Sequence, residues 1–215
     1  MVQFDRLPPL DVLIPLLVIL ILSLSFHEAA HAWSAYRLGD PTARNQGRLT
    51  LNPLAHIDWI GTVLFPLIAM TTGAPLIGWA KPVPVDMRNL RAPRRDFAIV
   101  AAAGPISNLV LATGFSIVFF LIYPGGATPF TIGRVGNILE TAIVTNVLLA
   151  VFNMIPIPPL DGGNVAIGVL PTPLAARLVQ LRPWGFLLLY LLLFTGVLSL
   201  IIRPVYAFVD ALLWA

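Results

Sequence analysis

Long apolar segments dominate this sequence and restrict the folds open to it. Residues 12–26 are apolar almost without interruption, and further apolar stretches follow at 97–123, 135–155 and 186–202. Crossing the hydrocarbon core of a bilayer takes about 20 apolar residues in a helix. Only 11% of the residues are charged, whereas a soluble domain carries about a quarter. The chain is therefore predicted to be an all-α polytopic membrane protein, folded as a helical bundle.

The first predicted helix, residues 10–38, contains a polar motif where such residues are least expected. His27, Glu28 and His31 form the pattern H-E-x-x-H. Residues four apart share one face of a helix, so the two imidazoles can hold one ion, and Glu28 can reach a water on that ion. Ionisable residues within a membrane are costly and usually functional. The motif therefore predicts one Zn²⁺ per chain, with Glu28 as the catalytic base.

A zinc site needs at least a third protein ligand, and the sequence has no cysteine to supply it. Asp161 is favoured, because it follows the end of the predicted span 135–155 in a turn rich in proline and glycine that is expected to be non-helical. Asp58 and His56, on the loop after the first helix, are alternatives. Glu140 lies near the far end of its span and is a poorer candidate.

The segment at 42–80 is predicted to be re-entrant or to contain a short strand at 48–51. Residues 60–79 are apolar but interrupted by glycine and proline. They either cross the membrane or enter it and return on the same side. The choice decides on which side of the membrane the first helix ends.

The basic loop at 81–96 is assigned to the cytoplasm by the positive-inside rule. Only the re-entrant alternative then places His27, His31 and Asp161 on the same side of the membrane. We therefore favour it, with the active site toward the cytoplasmic side. The formal charge of +3 arises from basic residues in such loops. A nucleic-acid partner is therefore not expected, and these residues are expected to face the lipid bilayer.

Three further polar residues are candidates for binding the substrate backbone or the oxyanion. Asn108 and Asn153 place amides in apolar surroundings, and His56 lies on a loop. The alternative for the amides is hydrogen bonding between helices. The alternative for His56 is an ordinary loop histidine.

Three motifs in this order resemble the site-2 protease family of intramembrane zinc metalloproteases. They are His27-Glu28-Ala29-Ala30-His31, then Gly104-Pro105-Ile106-Ser107-Asn108, and the stretch 153–162, which reads N-M-I-P-I-P-P-L-D-G. The linking stretches 52–58 and 78–85 also resemble the compact prokaryotic members. The resemblance implies that His27, His31 and Asp161 bind zinc, that Glu28 is the base, and that three helices form the catalytic core.

The resemblance also implies a function and a domain organisation. Single-span membrane proteins are the expected substrates, cut in or near their transmembrane segments during regulated intramembrane proteolysis. Residues 1–215 are expected to form one transmembrane protease domain, with its core at 10–163 and C-terminal helices at 164–215, and without a PDZ or CBS domain. The expected location is the inner membrane of a prokaryotic cell, in a multi-pass arrangement. The sequence assigns no oligomeric state.

A non-proteolytic metal-binding membrane protein, either a transporter or a membrane chaperone, is the competing class. A transporter would need acidic or histidine ligands along a path through both leaflets. The predicted ligands are instead concentrated at one depth.

Overall fold

The structure is a computed structural model, and it describes residues 10–64, 68, 80–124 and 132–213. Helices account for most of this part of the chain. In order, they are α1 (Leu10–Arg37), α2 (Thr42–Asn45), α3 (Pro93–Ile122), α4 (Gly133–Asn153), α5 (Asp161–Val169), α6 (Thr172–Gln180), α7 (Gly185–Phe194) and α8 (Val197–Leu213). Short helical turns lie at Pro53–Ala55, Trp59–Leu64, Met87–Asn89 and Arg182–Trp184.

Three of these helices are long and apolar enough to cross a membrane. They are α1 with 28 residues, α3 with 30 and α4 with 21, and at about 1.5 Å per residue each is at least as long as the hydrocarbon core is thick. A fourth candidate is the pair formed by Thr172–Gln180 and Arg182–Phe194, which is bent by 41°. The predicted all-α polytopic membrane fold is confirmed.

The predicted strand at 48–51 is wrong, since the described residues contain no β-strand. Residues 48–51 form a loop, in which the side chain of Arg48 donates to the backbone carbonyls of Ala55, Lys81 and Pro82. These carbonyls are thus satisfied by one guanidinium rather than by a neighbouring strand.

Small residues allow α1 and α3 to pack closely. Ala29, Ala32 and Ala35 are buried on α1, and Ala101 and Gly104 are buried on α3. Without bulky side chains the two backbones can approach each other, as is usual between helices in membranes. The run of small residues at 101–104 thus forms part of this helix contact.

The end of α1 and the start of α3 lie at the same end of the bundle. Just beyond α1, the buried carboxylate of Asp40 accepts hydrogen bonds from the Asp86 backbone N–H (2.7 Å) and the Asn89 side chain (2.9 Å), which precede α3. The chain therefore makes no net crossing between α1 and α3, as the re-entrant alternative requires. Residues 65–67 and 69–79, which would form the re-entrant part, lie outside the described residues.

The predicted span at 186–202 is divided in the structure. Helix α7 ends at Phe194, and Gly196 adopts the left-handed conformation with φ of +76°, which favours glycine and ends a helix. Helix α8 then continues through Pro204, although proline often ends a helix. A proline inside a helix removes one hydrogen bond and bends the helix, and apolar surroundings favour keeping the remaining ones.

A hydrophobic cluster closes the bundle at the end remote from the H-E-x-x-H motif. Phe119 of α3, Ile143 of α4, and Val209 and Leu213 of α8 are almost fully buried there, together with Ile132. The C-terminal helix thus packs against one end of the bundle and leaves the other to the polar residues of α1.

Candidate metal centre and active site

The two histidines of α1 and the first residue of α5 meet in the interior. The Nε2 atom of His27 lies 3.0 Å from Oδ2 of Asp161, and that of His31 lies 3.4 Å from the same oxygen. One ligand atom from each residue lies within 4.8 Å of the other two. In a tetrahedral zinc site the ligand atoms are about 2.0–2.2 Å from the ion and so about 3.3–3.6 Å apart. The donor set, two imidazoles and a carboxylate, fits Zn²⁺.

Each imidazole is held by a hydrogen bond at its other nitrogen. His31 Nδ1–H donates to the backbone carbonyl of Val100 (2.7 Å), and His27 Nδ1 faces the side-chain oxygen of Asn108 at 2.6 Å. A proton on Nδ1 leaves the lone pair on Nε2, the atom that faces Asp161. Such hydrogen bonds fix the tautomer and the ring orientation of metal-binding histidines.

Gly104 of α3 lies directly against these imidazoles. A Cβ atom built on it would clash with the Nε2 atoms of both His27 and His31. The absence of a side chain at this position therefore keeps the space beside the two Nε2 atoms open. The run of small residues around Gly104 is typical of a close helix contact, but it does not indicate that this contact lies at the metal centre.

Asp161 is brought to the histidines by a turn that follows α4. Contrary to the non-helical position predicted for it, Asp161 is the first residue of α5. An aspartate is favourable in the first turn of a helix because of the exposed N–H groups there. A Cβ on Gly162 would clash with the carbonyl group of Met154, and one on Gly163 would clash with Pro158. The two glycines thus let the turn fold tightly onto the start of α5.

An arginine from α3 holds the other end of α5. Arg94 Nε donates to the carbonyl of Ile167 at 2.8 Å, and its Nη2 atom donates to the carbonyl of Leu170. A Cβ on Gly168 would clash with Ala98 of α3, which shows how closely the two helices pack. Arg94, predicted only as part of the basic loop, thus fixes the helix that carries Asp161.

Glu28 is buried beside the two histidines and contacts the loop before α3. Its Oε2 atom accepts a hydrogen bond from the backbone N–H of Val83 at 3.1 Å. The neighbouring Lys81 is held in place by its N–H, which donates to the carbonyl of His56 (2.9 Å), and by Arg48, which donates to its carbonyl. We call residues 81–83 the strap. It orients the carboxylate of Glu28.

The remaining predicted site residues have other surroundings. His56 is buried, with its Nε2 atom 2.8 Å from the carbonyl of Thr50, and Asn153 donates to the carbonyl of Leu149 within its own helix. The side chain of Asn108, a predicted substrate or oxyanion contact, faces the imidazole of His27. Among the described residues, Asp58, His56 and Glu140 do not belong to the group that could hold a metal.

Comparisons with known proteins agree with this chemistry. A family model described as "Peptidase family M50" matches residues 126–193. A relative from Bacillus subtilis, named "Putative zinc metalloprotease YwhC", is 36% identical over 198 residues, which are 91% of this chain and 87% of that protein. "Putative zinc metalloprotease Rip2" of Mycolicibacterium smegmatis is 33% identical over 183 residues, 83% of this chain and 66% of the relative. No solved structure matches the chain at a significant level.

Proposed function

The chain belongs to peptidase family M50 and is a zinc metalloendopeptidase of the site-2 protease type, and we propose that it cuts other membrane proteins in or near their transmembrane segments. The observation that carries this proposal is the position of the candidate metal ligands. His27 and His31 lie inside α1, a helix long and apolar enough to span the membrane, and both are buried against α3. A peptide bond that reaches them has to enter the membrane region of the protein.

We assign the zinc ligands to His27, His31 and Asp161. Their Nε2 atoms and Oδ2 atom converge, and the Nδ1 atoms are occupied by Asn108 and by the carbonyl of Val100. When bound, zinc supplies a Lewis acid that polarises a carbonyl group and makes a nearby water acidic.

Glu28 is the proposed general base. It adjoins His27 in the helix, and its carboxylate is held by the Val83 N–H, which donates to Oε2, whereas none of the described residues donates a hydrogen bond to Oε1. In this scheme Glu28 takes the proton of the attacking water and delivers it to the leaving amine. The substrate must be unwound locally, because the carbonyl groups of an intact helix are hydrogen-bonded and its backbone is shielded by side chains.

The protein is an integral membrane protein, and we propose that its active site opens toward the cytoplasm of a bacterial-type inner membrane. Arg37, Arg44 and Arg88 are exposed at the end of the bundle where α1 ends and α3 begins, the end nearest to the metal centre. An excess of basic residues in short loops marks the cytoplasmic side. Single-span proteins are the proposed substrates, because an isolated helix can approach this site laterally through the bilayer.

The test is cleavage of a panel of single-span proteins by purified wild type and Glu28→Gln, with zinc analysis of both. Glu28 is proposed to transfer the proton of the attacking water and not to bind the metal. The variant should therefore keep its zinc, but its cleavage rate should fall by about 10²–10⁴-fold. Cleavage by the variant at the wild-type rate would refute the assignment of Glu28. If zinc-loaded wild type cuts none of the panel, the proposed substrate class is refuted, and the alternative of a non-proteolytic zinc protein, such as a transporter or a membrane chaperone, gains support.

A further inference from the structure

A row of buried polar side chains runs from the metal centre across all three long helices. His27 of α1 contacts Asn108 of α3, and Asn108 Nδ2 donates to Oδ1 of Asn146 on α4 at 2.9 Å. Asn146 Nδ2 in turn donates to the carbonyl of Ala142 and to the hydroxyl of Ser23, each at 2.9 Å. Asn108 and Asn146 are fully buried. We call His27, Asn108 and Asn146 the relay.

The hydrogen bond from Asn146 to the carbonyl of Ala142 fixes the direction of the other hydrogen bonds in the relay. The carbonyl of Ala142 can only accept, so Asn146 must turn its NH₂ toward it and its oxygen toward Asn108. Asn108 then has to present its NH₂ to Asn146 and its oxygen to His27. An oxygen facing His27 Nδ1 requires a proton on that nitrogen. The backbone of α4 thus determines which nitrogen of His27 keeps its lone pair.

We propose that Asn146 is a positioning residue for zinc binding, acting through Asn108 on the tautomer of His27. This inference rests on the proposed role of His27 as a zinc ligand. His31 needs no relay, because the carbonyl of Val100 sets its tautomer directly. His27 faces an amide, whose oxygen and nitrogen are similar in size and can exchange places by rotation. The contact with Asn146 (2.9 Å), together with a longer hydrogen bond from Asn108 Nδ2 to the carbonyl of Ser23 (3.4 Å), makes the two orientations of Asn108 unequal.

Without Asn146, the long hydrogen bond to the Ser23 carbonyl (3.4 Å) is the one contact among the described residues that still holds the NH₂ of Asn108, and the amide can turn its NH₂ toward His27. The imidazole then places its lone pair on Nδ1 to accept that hydrogen bond and carries its proton on Nε2, the nitrogen that faces Asp161. A protonated Nε2 cannot bind zinc. The relay therefore makes the affinity for zinc depend on the packing of α4 against α1 and α3, although Asn146 does not touch the ligands.

The experiment compares the full-length wild type with Asn146→Leu, which has a similar volume but no polar group. Zinc affinity is measured by competition with a chelator. The expected result is a roughly 10–100-fold loss of affinity, the range typical for groups that orient a metal-binding histidine. The matched control is Val147→Ala on the same helix, which trims the hydrophobic packing next to the relay and should leave the affinity within about twofold.

A spectroscopic measurement separates this role from a merely structural one. With only three histidines in the chain, ¹⁵N-histidine NMR of the zinc-depleted protein can report whether His27 Nδ1 is protonated, once His31→Asn and His56→Asn have been used for assignment. With both proteins zinc-depleted, wild type should show a proton on His27 Nδ1, and Asn146→Leu should show a second tautomer. An unprotonated Nδ1 in the wild type would overturn the proposal even if the variant failed to fold. Equal zinc affinity of Asn146→Leu and wild type would also overturn it, whereas failure of wild type to bind zinc would refute the ligand assignment itself.

Discussion

Gly104 lies where α3 passes closest to the two imidazoles, so a single methyl group there would enter the space beside both Nε2 atoms. We expect Gly104→Ala to lower zinc affinity at least about tenfold, because the histidines must move away from the positions that Asn108 and Val100 hold. Zinc content after equilibration with a chelator measures this effect.

Gly114 provides a matched control on the same helix. A Cβ atom there would meet no atom within 4 Å, and an alanine is a better helix former than glycine by about 1 kcal/mol. Gly114→Ala should therefore bind zinc like wild type and be as stable or more so. A Gly104→Ala protein with unchanged zinc affinity would contradict the observed proximity.

A second prediction at the residue scale concerns the carboxylate that joins α1 to the loop before α3. Burial alone would raise the pKa of Asp40, but hydrogen bonds from Thr42, Asn89 and the Asp86 N–H outweigh it and lower the pKa below the ordinary value of 3.8. A carboxyl group with a lowered pKa in the folded state stabilises the fold above its ordinary pKa, and this contribution is lost as the pH falls below that value.

The pH dependence can be measured against Asp40→Asn, whose side chain stays neutral. Wild type should be more stable than the variant by about 1–3 kcal/mol near neutral pH, since hydrogen bonds to a charged acceptor are lost. The difference in unfolding free energy should shrink below about pH 4. In Asn89→Leu, which lacks one donor to Asp40, the decline of stability should begin at the same pH, because the unfolded state sets it, but should be smaller and end at a higher pH than in wild type. A difference between wild type and Asp40→Asn that does not change with pH would show that the charge of Asp40 contributes nothing.

Among the secondary-structure elements, α5 matters most, because it carries Asp161 to the histidines and is held at its other end by Arg94. Arg94→Met should leave the carbonyls of Ile167 and Leu170 without this donor, at a cost of about 1–3 kcal/mol for each that finds no other donor. We expect a lower unfolding temperature together with weaker zinc binding, because Asp161 is displaced when α5 shifts. The exposed neighbour Arg95 supplies the control, and Arg95→Met should change neither quantity. Normal zinc binding by Arg94→Met would mean that the turn at 154–160 alone positions Asp161.

The elements also show what could and could not be predicted from the sequence. The three long helices and the H-E-x-x-H pair depend on local patterns, a run of apolar residues and a spacing of four, and these are visible in the chain. The meeting of Asp161 with His27 was predicted from the need for a third ligand. The contacts between Asn108 and Asn146, and between Arg94 and the end of α5, join segments 38 or more residues apart. No local pattern specifies which arginine of a basic loop meets which carbonyl.

The end of α7 was missed for a different reason. Residues 186–202 are predominantly apolar, and hydropathy alone does not reveal the left-handed conformation of Gly196. Pro204 does not end α8, since a helix in apolar surroundings can tolerate one missing hydrogen bond when the others are kept.

At the scale of the whole molecule, the two ends of the bundle differ in chemical character. One end of the bundle lies where α1 ends and α3 begins, and it adjoins the metal centre. It contains the strap, Asp40 and the exposed side chains of Arg37, Arg44 and Arg88. The opposite end contains the hydrophobic cluster of Phe119, Ile143 and Leu213. Because α1 and α4 both run from this opposite end toward the metal centre, the ligands from α1 and from the turn after α4 arrive at the same depth.

This polarity leads to a prediction about orientation in the membrane. The chain has no cysteine, so single cysteines can be introduced without a background of native thiols. Gln46→Cys lies at the end near the metal centre and Val135→Cys near the start of α4, and both positions are exposed. In spheroplasts, a membrane-impermeant maleimide should label Val135→Cys directly, but Gln46→Cys only after permeabilisation. The opposite pattern would place the metal centre toward the outer face, and equal labelling at both positions in intact spheroplasts would contradict three crossings by α1, α3 and α4.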